Sequence, residues 1–164
     1  MAATSSGTAT VTLPTDEQIL ITREFGAPKH LVYKAYTTPE LVKRWWSGQK
    51  GEVTIAEIDL RVGGKWRFVM VSSEGFEVAF HGEYQEIVPD ERLVSTEIYE
   101  IPDQGDSPPT VNTATFTETD GRTTLTVLVD CPSKELRDTI IDSGMEGGMQ
   151  ESLDALEQVA VSLR

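Results

Sequence analysis

The residues that could perform chemistry are few and widely spaced along the chain. The two histidines, His30 and His81, lack the spacing of a metal-binding pair, and no histidine lies near Cys131 in the sequence. Nucleophile-elbow, phosphate-binding, dinucleotide-binding and paired-cysteine motifs do not occur. The sequence therefore predicts no catalytic residue, no metal ion and no cofactor, and it indicates a packing role for Cys131.

Three glutamates in the middle of the chain could supply carboxylates for acid–base chemistry. Glu83, Glu86 and Glu97 lie in segments whose pattern predicts β-strands. Strands with one face in water carry acidic residues on that face routinely. We therefore interpret all three as solvent-facing residues, and catalysis by any one of them is the less favoured alternative.

His81 and Arg67 are two further polar residues within predicted strands. His81 follows Phe80, so it points to solvent if Phe80 points inward, unless a β-bulge at Gly82 reverses the alternation. Arg67 has the opposite phase to its aromatic neighbours and is expected to pair with strand acids.

Two adjacent tryptophans lie in a basic segment of an otherwise acidic chain. Trp45 and Trp46 end a predicted short helix, and neighbouring helical residues point about 100° apart. One ring is therefore expected to pack under the helix and the other to reach a pocket mouth or solvent. Residues 29–50 carry five basic side chains and one acidic one, about +4, which leaves about −17 elsewhere in a chain of net charge −13. This segment is either an ordinary solvated helix face or a cationic rim that attracts an anionic ligand or an acidic partner.

Aromatic and methionine residues recur at positions that could line one face of a sheet and a helix. Core packing explains each of them singly, and only their sum suggests a pocket. The predicted ligand-binding residues are Trp45, Trp46, Trp66, Phe68, Met70, Phe80, Tyr99, Met145, Met149 and Leu153.

The elements that must position these residues follow from periodicity and turn signals. Helices are predicted over residues 28–36, 39–46 and 133–164, with Thr38 and Ser133 as N-caps. Seven strands are predicted over residues 17–25, 53–60, 64–72, 77–88, 92–101, 111–119 and 123–131. The pair Asp120-Gly121 indicates a tight hairpin. Short connections demand an antiparallel sheet, so the fold class is α+β with the sheet packed on a long C-terminal helix.

Composition limits the classes of function. A chain of 164 residues suits one domain, with residues 1–15 as an uncharged flexible tail and residues 16–164 as the domain. The net charge of −13 argues against nucleic-acid binding. The sequence has no apolar run long enough to span a bilayer, and the single cysteine agrees with a reducing compartment, so we predict a cytoplasmic location.

Four stretches together resemble a known family. They are ITREFGAPKHLVYKAYTTPELVKRWW, GGKWRFVM, FHGEYQEIVPDERLVSTE and SGMEGGMQESLDALEQV. The chain resembles the activator-of-heat-shock-protein-90-ATPase-like family of the START-like, or SRPBCC, helix-grip superfamily. The resemblance implies a curved seven-stranded antiparallel sheet that grips the C-terminal helix (a Bet v-like fold), with a hydrophobic cavity between them. Relatives usually carry Trp where this chain has Met149, which implies a larger or more pliable cavity.

The segment SGMEGGMQ, residues 143–150, places three glycines inside the predicted C-terminal helix. Each glycine costs about 1 kcal/mol of helix propensity relative to alanine. Either the backbone approaches the sheet too closely for a side chain, or the glycines let the helix bend beside Met145 and Met149.

Three functions remain open at this point. The favoured one is a non-catalytic module that binds an apolar or amphipathic small molecule. The resemblance also implies a co-chaperone-like regulator whose partner is an ATP-driven chaperone. The third is a cyclase-type or hydrolase-type enzyme that uses carboxylates in the same cavity.

Overall fold

The computed structural model describes residues 9–48, 51–101 and 105–164. Within them the chain forms four helices: α1 (Lys29–Thr37), α2 (Pro39–Trp45), α3 (Lys134–Asp142) and α4 (Met145–Ser162). The strands are β1 (Thr10–Thr12), β2 (Gln18–Phe25), β3 (Gly51–Ile58), β4 (Lys65–Ser72), β5 (Glu77–Val88), β6 (Arg92–Ile101), β7 (Gly105–Asp106), β8 (Thr110–Thr119) and β9 (Arg122–Asp130).

The strands form one antiparallel sheet in the order β1-β2-β9-β8-β6-β5-β4-β3, and β7 adds to β6. The seven predicted strands are all present, and the α+β class is confirmed. The predicted number of seven is too low by two, because β1 and β7 also pair in the sheet. These strands contain only three and two residues, so neither is long enough to show an alternating pattern.

The N-terminal segment differs from the predicted flexible tail. Residues 10–12 form β1, which pairs with β2. Ala9 is buried, and its backbone N–H and C=O both bond to the side-chain amide of Gln150 in α4, at 2.8 Å each. Backbone pairing and this amide bridge thus hold part of the segment, which composition could not reveal. Residues 1–8 lie outside the described part of the chain.

Turn chemistry and β-bulges shape the sheet. Asp120 and Gly121 both have positive φ angles, 55° and 77°, as the predicted β8–β9 hairpin requires. The pairing register shifts between Val53 and Ile55 in β3 and between Tyr84 and Glu86 in β5. Such shifts bend strands and increase their twist, which favours a curved sheet.

Helices α1 and α2 begin close to the predicted positions. Thr38 occupies the N-cap of α2 and Pro39 its first position, as predicted, but the Thr38 hydroxyl makes no capping hydrogen bond. Pro28 is the N-cap of α1 rather than a residue of its first turn.

The predicted long C-terminal helix is present as α4, but it begins at Met145 rather than at Ser133, and a separate helix, α3, precedes it. Ser133 caps α3 as predicted, accepting a 3.1 Å hydrogen bond from Leu136 N. The helix then ends, and Gly144 adopts φ = 83° before α4 begins at Met145. This left-handed conformation is costly for residues with a Cβ, and it breaks the helical hydrogen bonding.

The inner face of the sheet is the face that α4 covers. Arg23 of β2 is only 2 % exposed on this face, and its Nη2 lies 2.7 Å from Asp154 and 3.2 Å from Glu157 of α4. Strand register carries the same face across the sheet to Leu125 and Phe116, both buried. The main core is therefore enclosed between the inner face and the helices.

Candidate functional site

Trp45 is a core residue. Its ring is 5 % exposed and stacks on Tyr36 at 5.6 Å between ring centroids. Its indole Nε1–H donates a 2.9 Å hydrogen bond to the carbonyl of Ala35. With its polar atom paired within α1, Trp45 fixes α2 against α1.

Trp46 points in a different direction, as the angle between adjacent helical residues requires. Its half-buried ring makes edge contacts with Phe68 and Phe80, at 5.5 and 5.7 Å between centroids. Ser152 of α4 donates a 2.6 Å hydrogen bond to the Trp46 carbonyl. This bond ties the end of α2 to α4 and holds the Trp46 ring over strands β4 and β5.

The aromatic row is the chain of ring contacts formed by Trp66, Phe68, Trp46, Phe80 and Tyr99. Trp66 and Phe68 lie 4.9 Å apart, and Phe80 and Tyr99 stack at 5.0 Å. Tyr99, at one end of the row, is 36 % exposed, so the row runs from the core to the solvent. The structure thus brings together five of the ten predicted ligand-binding residues.

The other predicted residues have different positions. Leu153 is buried in the core, and Met145 and Met149 of α4 are partly buried and pack against it. Met70 is half-buried opposite Val78, and it is not among the described residues that pack on the core cluster. Trp45 is separated from the row by its own packing under the helix.

A polar group lies beside the aromatic row on the inner face. We call Glu97, Asn112, Ser95, Tyr84 and Tyr36 the Glu97 cluster. Asn112 Nδ2 donates to Glu97 Oε1 at 3.1 Å. Register places Ser95 opposite both Tyr84 and Asn112, and Glu97 follows two residues later on the same face. Three strands and α1 therefore contribute polar atoms to one region.

The environment of the Glu97 cluster shifts its protonation. Burial raises the pKa of Glu97, and the hydrogen bond from Asn112 offsets part of that effect. Burial, and then the nearby Glu97, raise the pKa of Tyr36 to about 12. Burial and the neighbouring Tyr36 also raise the pKa of Tyr84. Both tyrosines therefore keep their hydroxyl protons at neutral pH.

Glu97 departs from the predicted solvent-facing position, because it is half-buried and lies on the inner face. Glu83 and Glu86 are exposed, as predicted, and Glu86 lies 3.3 Å from Arg92. A usable signal was present, since Tyr99 is a predicted pocket residue and Glu97, two positions earlier, must share its face. Both faces of β6 carry polar and apolar residues, so the pattern alone did not show that Glu97 shares the face of Tyr99.

The outer face of the sheet carries a different set of charges. Arg67 binds Glu100 through two hydrogen bonds of 2.9 Å, in agreement with the prediction that it pairs with a strand acid. His81 Nδ1 lies 2.8 Å from Glu100, and its Nε2 lies 3.8 Å from Asp106. The Arg67 bonds, with a smaller effect of His81, lower the pKa of Glu100 to about 2.

His81 lies on the outer face because the alternation is preserved through Gly82. His81 pairs with Ile98 and Tyr84 with Ser95 in one unbroken register, and the shift occurs only after Tyr84. The predicted alternative of a phase-reversing bulge at Gly82 is thus wrong. A cleft of about 360 Å³ on this face is lined partly by His81 and Glu100, which already bond to one another.

Other candidate features of the sequence form no further site. Cys131 is buried, and burial raises its pKa, which disfavours the reactive thiolate. In the described residues, no group of three or more His, Cys, Asp or Glu side chains is placed to hold a metal ion. None of the helices described here has both the length and the apolar composition needed to cross a bilayer.

The basic segment forms part of the helical surface. Lys34, Lys43 and Arg44 are exposed on α1 and α2, whereas Lys29 is half-buried. Lys50, the last basic residue of the predicted segment, lies outside the described residues. These three exposed cations therefore form a basic part of the surface of a protein whose net charge is −13.

Comparison with known proteins adds a family to this geometry. The family model described as Activator of Hsp90 ATPase homolog 1-like protein matches residues 26–160. The chain belongs to this family. No curated protein matches the sequence significantly.

Solved structures share the fold of this Hsp90-activator-like chain. A Rhodobacter sphaeroides protein has a TM-score of 0.85 at 23 % identity, over 94 % of this chain and 99 % of that one. Protein Ms6760 from Mycobacterium smegmatis has a TM-score of 0.81 at 25 % identity, over 96 % and 98 %. DynU16, of the dynemicin biosynthetic locus, has a TM-score of 0.65 at 21 % identity, over 88 % of this chain and 47 % of that one. These likenesses confirm the helix-grip architecture.

Proposed function

We propose that this member of the Hsp90-activator-like family binds a small amphipathic molecule between the inner face of its sheet and α4. The observation that carries the proposal is the aromatic row, which runs from a partly exposed Tyr99 to a buried Trp66. Ligand sites are mostly apolar and aromatic, with a few polar groups that fix orientation. The row would contact the apolar body of the ligand, and the Glu97 cluster beside it would contact the polar end.

The helical side of the proposed site favours an adaptable fit. Met145 and Met149 are partly buried against the core, and methionine side chains fill irregular spaces with little strain. Exposed Lys34, Lys43 and Arg44 lie outside this site and would attract an acidic partner by long-range electrostatics, an effect that salt weakens. We further propose that the protein acts in the cytoplasm.

Native mass spectrometry after incubation with a lipid and metabolite mixture tests this proposal. We expect the protein to retain a small molecule, and the variant Trp46→Ala to lose it, because that ring joins Phe68 to Phe80. Phe76→Ala is the matched control, since Phe76 is 56 % exposed and lies outside the row. Equal retention by both variants, or no retention by the parent protein, would contradict the proposal. Chemical conversion of the retained molecule would indicate an enzyme instead.

Regulation of a chaperone is the second candidate. Its support is the family description together with the exposed cations Lys34, Lys43 and Arg44 on an acidic protein. The test is ATP hydrolysis by a purified Hsp90-type chaperone with and without this protein. We expect stimulation that the double variant Lys43→Glu, Arg44→Glu reduces. No stimulation at a molar excess of this protein would remove this candidate.

A further inference from the structure

Glu97 is a half-buried acidic side chain on the inner face, without a cationic partner among the described residues. No Lys, Arg or His among the described residues forms an ion pair with it. Arg23, which shares the inner face, is already engaged by Asp154 and Glu157. The described hydrogen bond to the Glu97 carboxyl comes from the neutral amide of Asn112. A second oxygen of the Glu97 carboxyl therefore remains available.

Asn112 is itself held in one orientation. Its Oδ1 lies 3.1 Å from the hydroxyl of Thr110, so its Nδ2 faces Glu97. One Glu97 oxygen is thus occupied by a fixed donor. Taking an ionised carboxylate out of water without a cation is costly, so such a group keeps its proton to a higher pH than a solvated one. In its protonated form Glu97 is a hydrogen-bond donor.

Other donors near Glu97 lack partners. In the described part of the chain, the hydroxyls of Tyr36, Tyr84 and Ser95 form no hydrogen bond. The indole Nε1 of Trp66 is also unpartnered, although Trp66 is only 8 % exposed. Register places Gly82 between Trp66 and Glu97. A side chain at Gly82 would put its Cβ only 2.6 Å from the Trp66 nitrogen, so the glycine leaves the space beside this nitrogen open. The unmade hydrogen bond of the buried Trp66 indole is costly, so a ligand that satisfies it gains selectivity.

We propose that the Glu97 cluster, with the indole of Trp66, selects ligands that carry a carbonyl or other uncharged acceptor oxygen, with Glu97 as the principal donor. This inference rests on the proposed function, because it names the polar end of the same ligand. The acceptor oxygen would occupy the free side of the Glu97 carboxyl. The apolar body would extend along the aromatic row toward Tyr99.

Charged polar ends fit this arrangement less well. An anionic group would meet Glu97 and two tyrosine hydroxyls with no free cation in the cluster. A cationic amine would require Glu97 to ionise, and it would leave the indole N–H of Trp66 without an acceptor. An uncharged acceptor satisfies the donors and needs no buried ion.

Three probes of one shape test the inference by isothermal titration calorimetry. They are 2-acetylnaphthalene, which carries a carbonyl, 2-ethylnaphthalene, which lacks it, and 1-(2-naphthyl)ethylamine, which is cationic. We expect the ketone to bind about ten-fold more tightly than the hydrocarbon. Equal affinities of ketone and hydrocarbon, or a preference for the amine, would overturn the inference and leave the proposed function standing. Failure of all three probes to bind would overturn both.

Substitution of Glu97 isolates its role as a donor. Glu97→Gln retains a donor, so we expect the ketone preference to persist, whereas Glu97→Leu should abolish it. Glu83→Gln is the matched control, since Glu83 is an exposed acid on β5. Both Glu97 replacements have a similar volume to Glu, and near-ultraviolet circular dichroism checks their packing. A full ketone preference in Glu97→Leu would contradict the inference.

The pH dependence gives an independent readout. Ketone affinity should fall as pH rises through the folded pKa of Glu97, and it should be flat in Glu97→Gln. Around Glu97, β5 contributes Tyr84, α1 contributes Tyr36, β4 contributes Trp66 and β8 contributes Asn112, while α4 adds apolar side chains to the core. Of these only the tyrosines titrate, and both do so far above neutrality. An identical pH profile in Glu97→Gln would contradict the assignment.

Discussion

The two faces of strand β6 treat their glutamates in opposite ways. Glu100 on the outer face receives two bonds from Arg67 and one contact from His81, and its pKa falls to about 2. On the inner face, three residues earlier, the Glu97 carboxyl accepts one hydrogen bond among the described residues, from the Asn112 amide, and burial raises its pKa. The strand and the residue type are the same, so the difference comes from the burial of Glu97 and from the Arg67 bonds of Glu100. On the outer face Glu100 is paired with Arg67 and His81, whereas on the inner face one oxygen of the Glu97 carboxyl has no described hydrogen bond.

The inner face also pairs one buried charge with carboxylates, and the Glu97 carboxyl is informative because it lacks such an ion pair. Arg23 is as buried as any core residue, and two carboxylates of α4 together with the ring of Phe25 at 4.9 Å surround it. The guanidinium thereby links β2 to α4. A polar group retained in a core without such a partner calls for another explanation, and ligand binding supplies one.

The largest expected effect distinguishes the inner arginine from the outer one. Arg23→Ala leaves Asp154 and Glu157 without their buried cation and opens a cavity, so we expect a loss of about 3–5 kcal/mol in the free energy of unfolding. Arg67→Ala, on the outer face, should cost only about 1 kcal/mol or less because its side chain is 39 % exposed and its pair is screened. Urea denaturation measures both. Equal losses of unfolding free energy in the two variants would show that the buried ion pair contributes no more to stability than the exposed one.

The next effect is the pH dependence of stability, to which Glu100 and Glu97 contribute with opposite signs. Because the folded pKa of Glu100 is lowered, its contribution to stability is present above its unfolded pKa and is lost as pH falls toward 2. Glu100→Gln should therefore destabilise the protein by about 1–2 kcal/mol at neutral pH and have little effect in acid. The folded pKa of Glu97 is raised, so its contribution is present at low pH and is lost as pH rises.

Glu97→Gln should accordingly match the parent protein in acid and become the more stable of the two as pH rises. Urea denaturation midpoints across the pH range test this crossing of signs. Parallel profiles for the two Gln variants would mean that the faces of β6 do not differ electrostatically. Glu83→Gln, an exposed position, should leave the profile close to that of the parent.

Local patterns predicted the elements of this fold but not its long-range partners. The Asp120-Gly121 hairpin and the Ser133 cap depend on neighbours in the chain, so their residue types are sufficient evidence. Arg23 is different, because its alternating position marks it as buried while its carboxylate partners lie 131 and 134 residues away. Sequence alone offers no reason to join them.

The candidate site shows the same limit. Alternation assigns Glu97 to the face of Tyr99, but it cannot say that Asn112 rather than a cation stands opposite. The direction of a pKa shift depends on that partner, since a cation would have lowered the value that burial raises. The aromatic row was easier to predict because hydrophobic rings need only a common face. Trp45 was assigned to the pocket because the angle between adjacent residues says that two rings diverge, not which one faces inward.

The smallest expected effect tests whether α4 must open for the inner face to receive a ligand. Gly147 lies exposed in the first turn of α4, and a Cβ added there would meet no atom within 4 Å. Close approach to the sheet therefore does not account for this glycine. The other predicted explanation, flexibility at the start of α4, remains to be tested. Gly147→Ala should raise the free energy of unfolding by about 0.5–1 kcal/mol, because alanine favours the helix and restricts the unfolded chain.

Gly144→Ala is the contrasting variant, since φ = 83° is strained for alanine and should cost about 1–2 kcal/mol. If opening of α4 admits the ligand, Gly147→Ala should also slow 2-acetylnaphthalene uptake in stopped-flow fluorescence while leaving the ketone preference intact. The rate is the informative quantity, because Gly147 lies outside both the aromatic row and the Glu97 cluster and should not change the bound contacts. An unchanged uptake rate in a stabilised Gly147→Ala protein would show that ligands reach the inner face without movement of the start of α4.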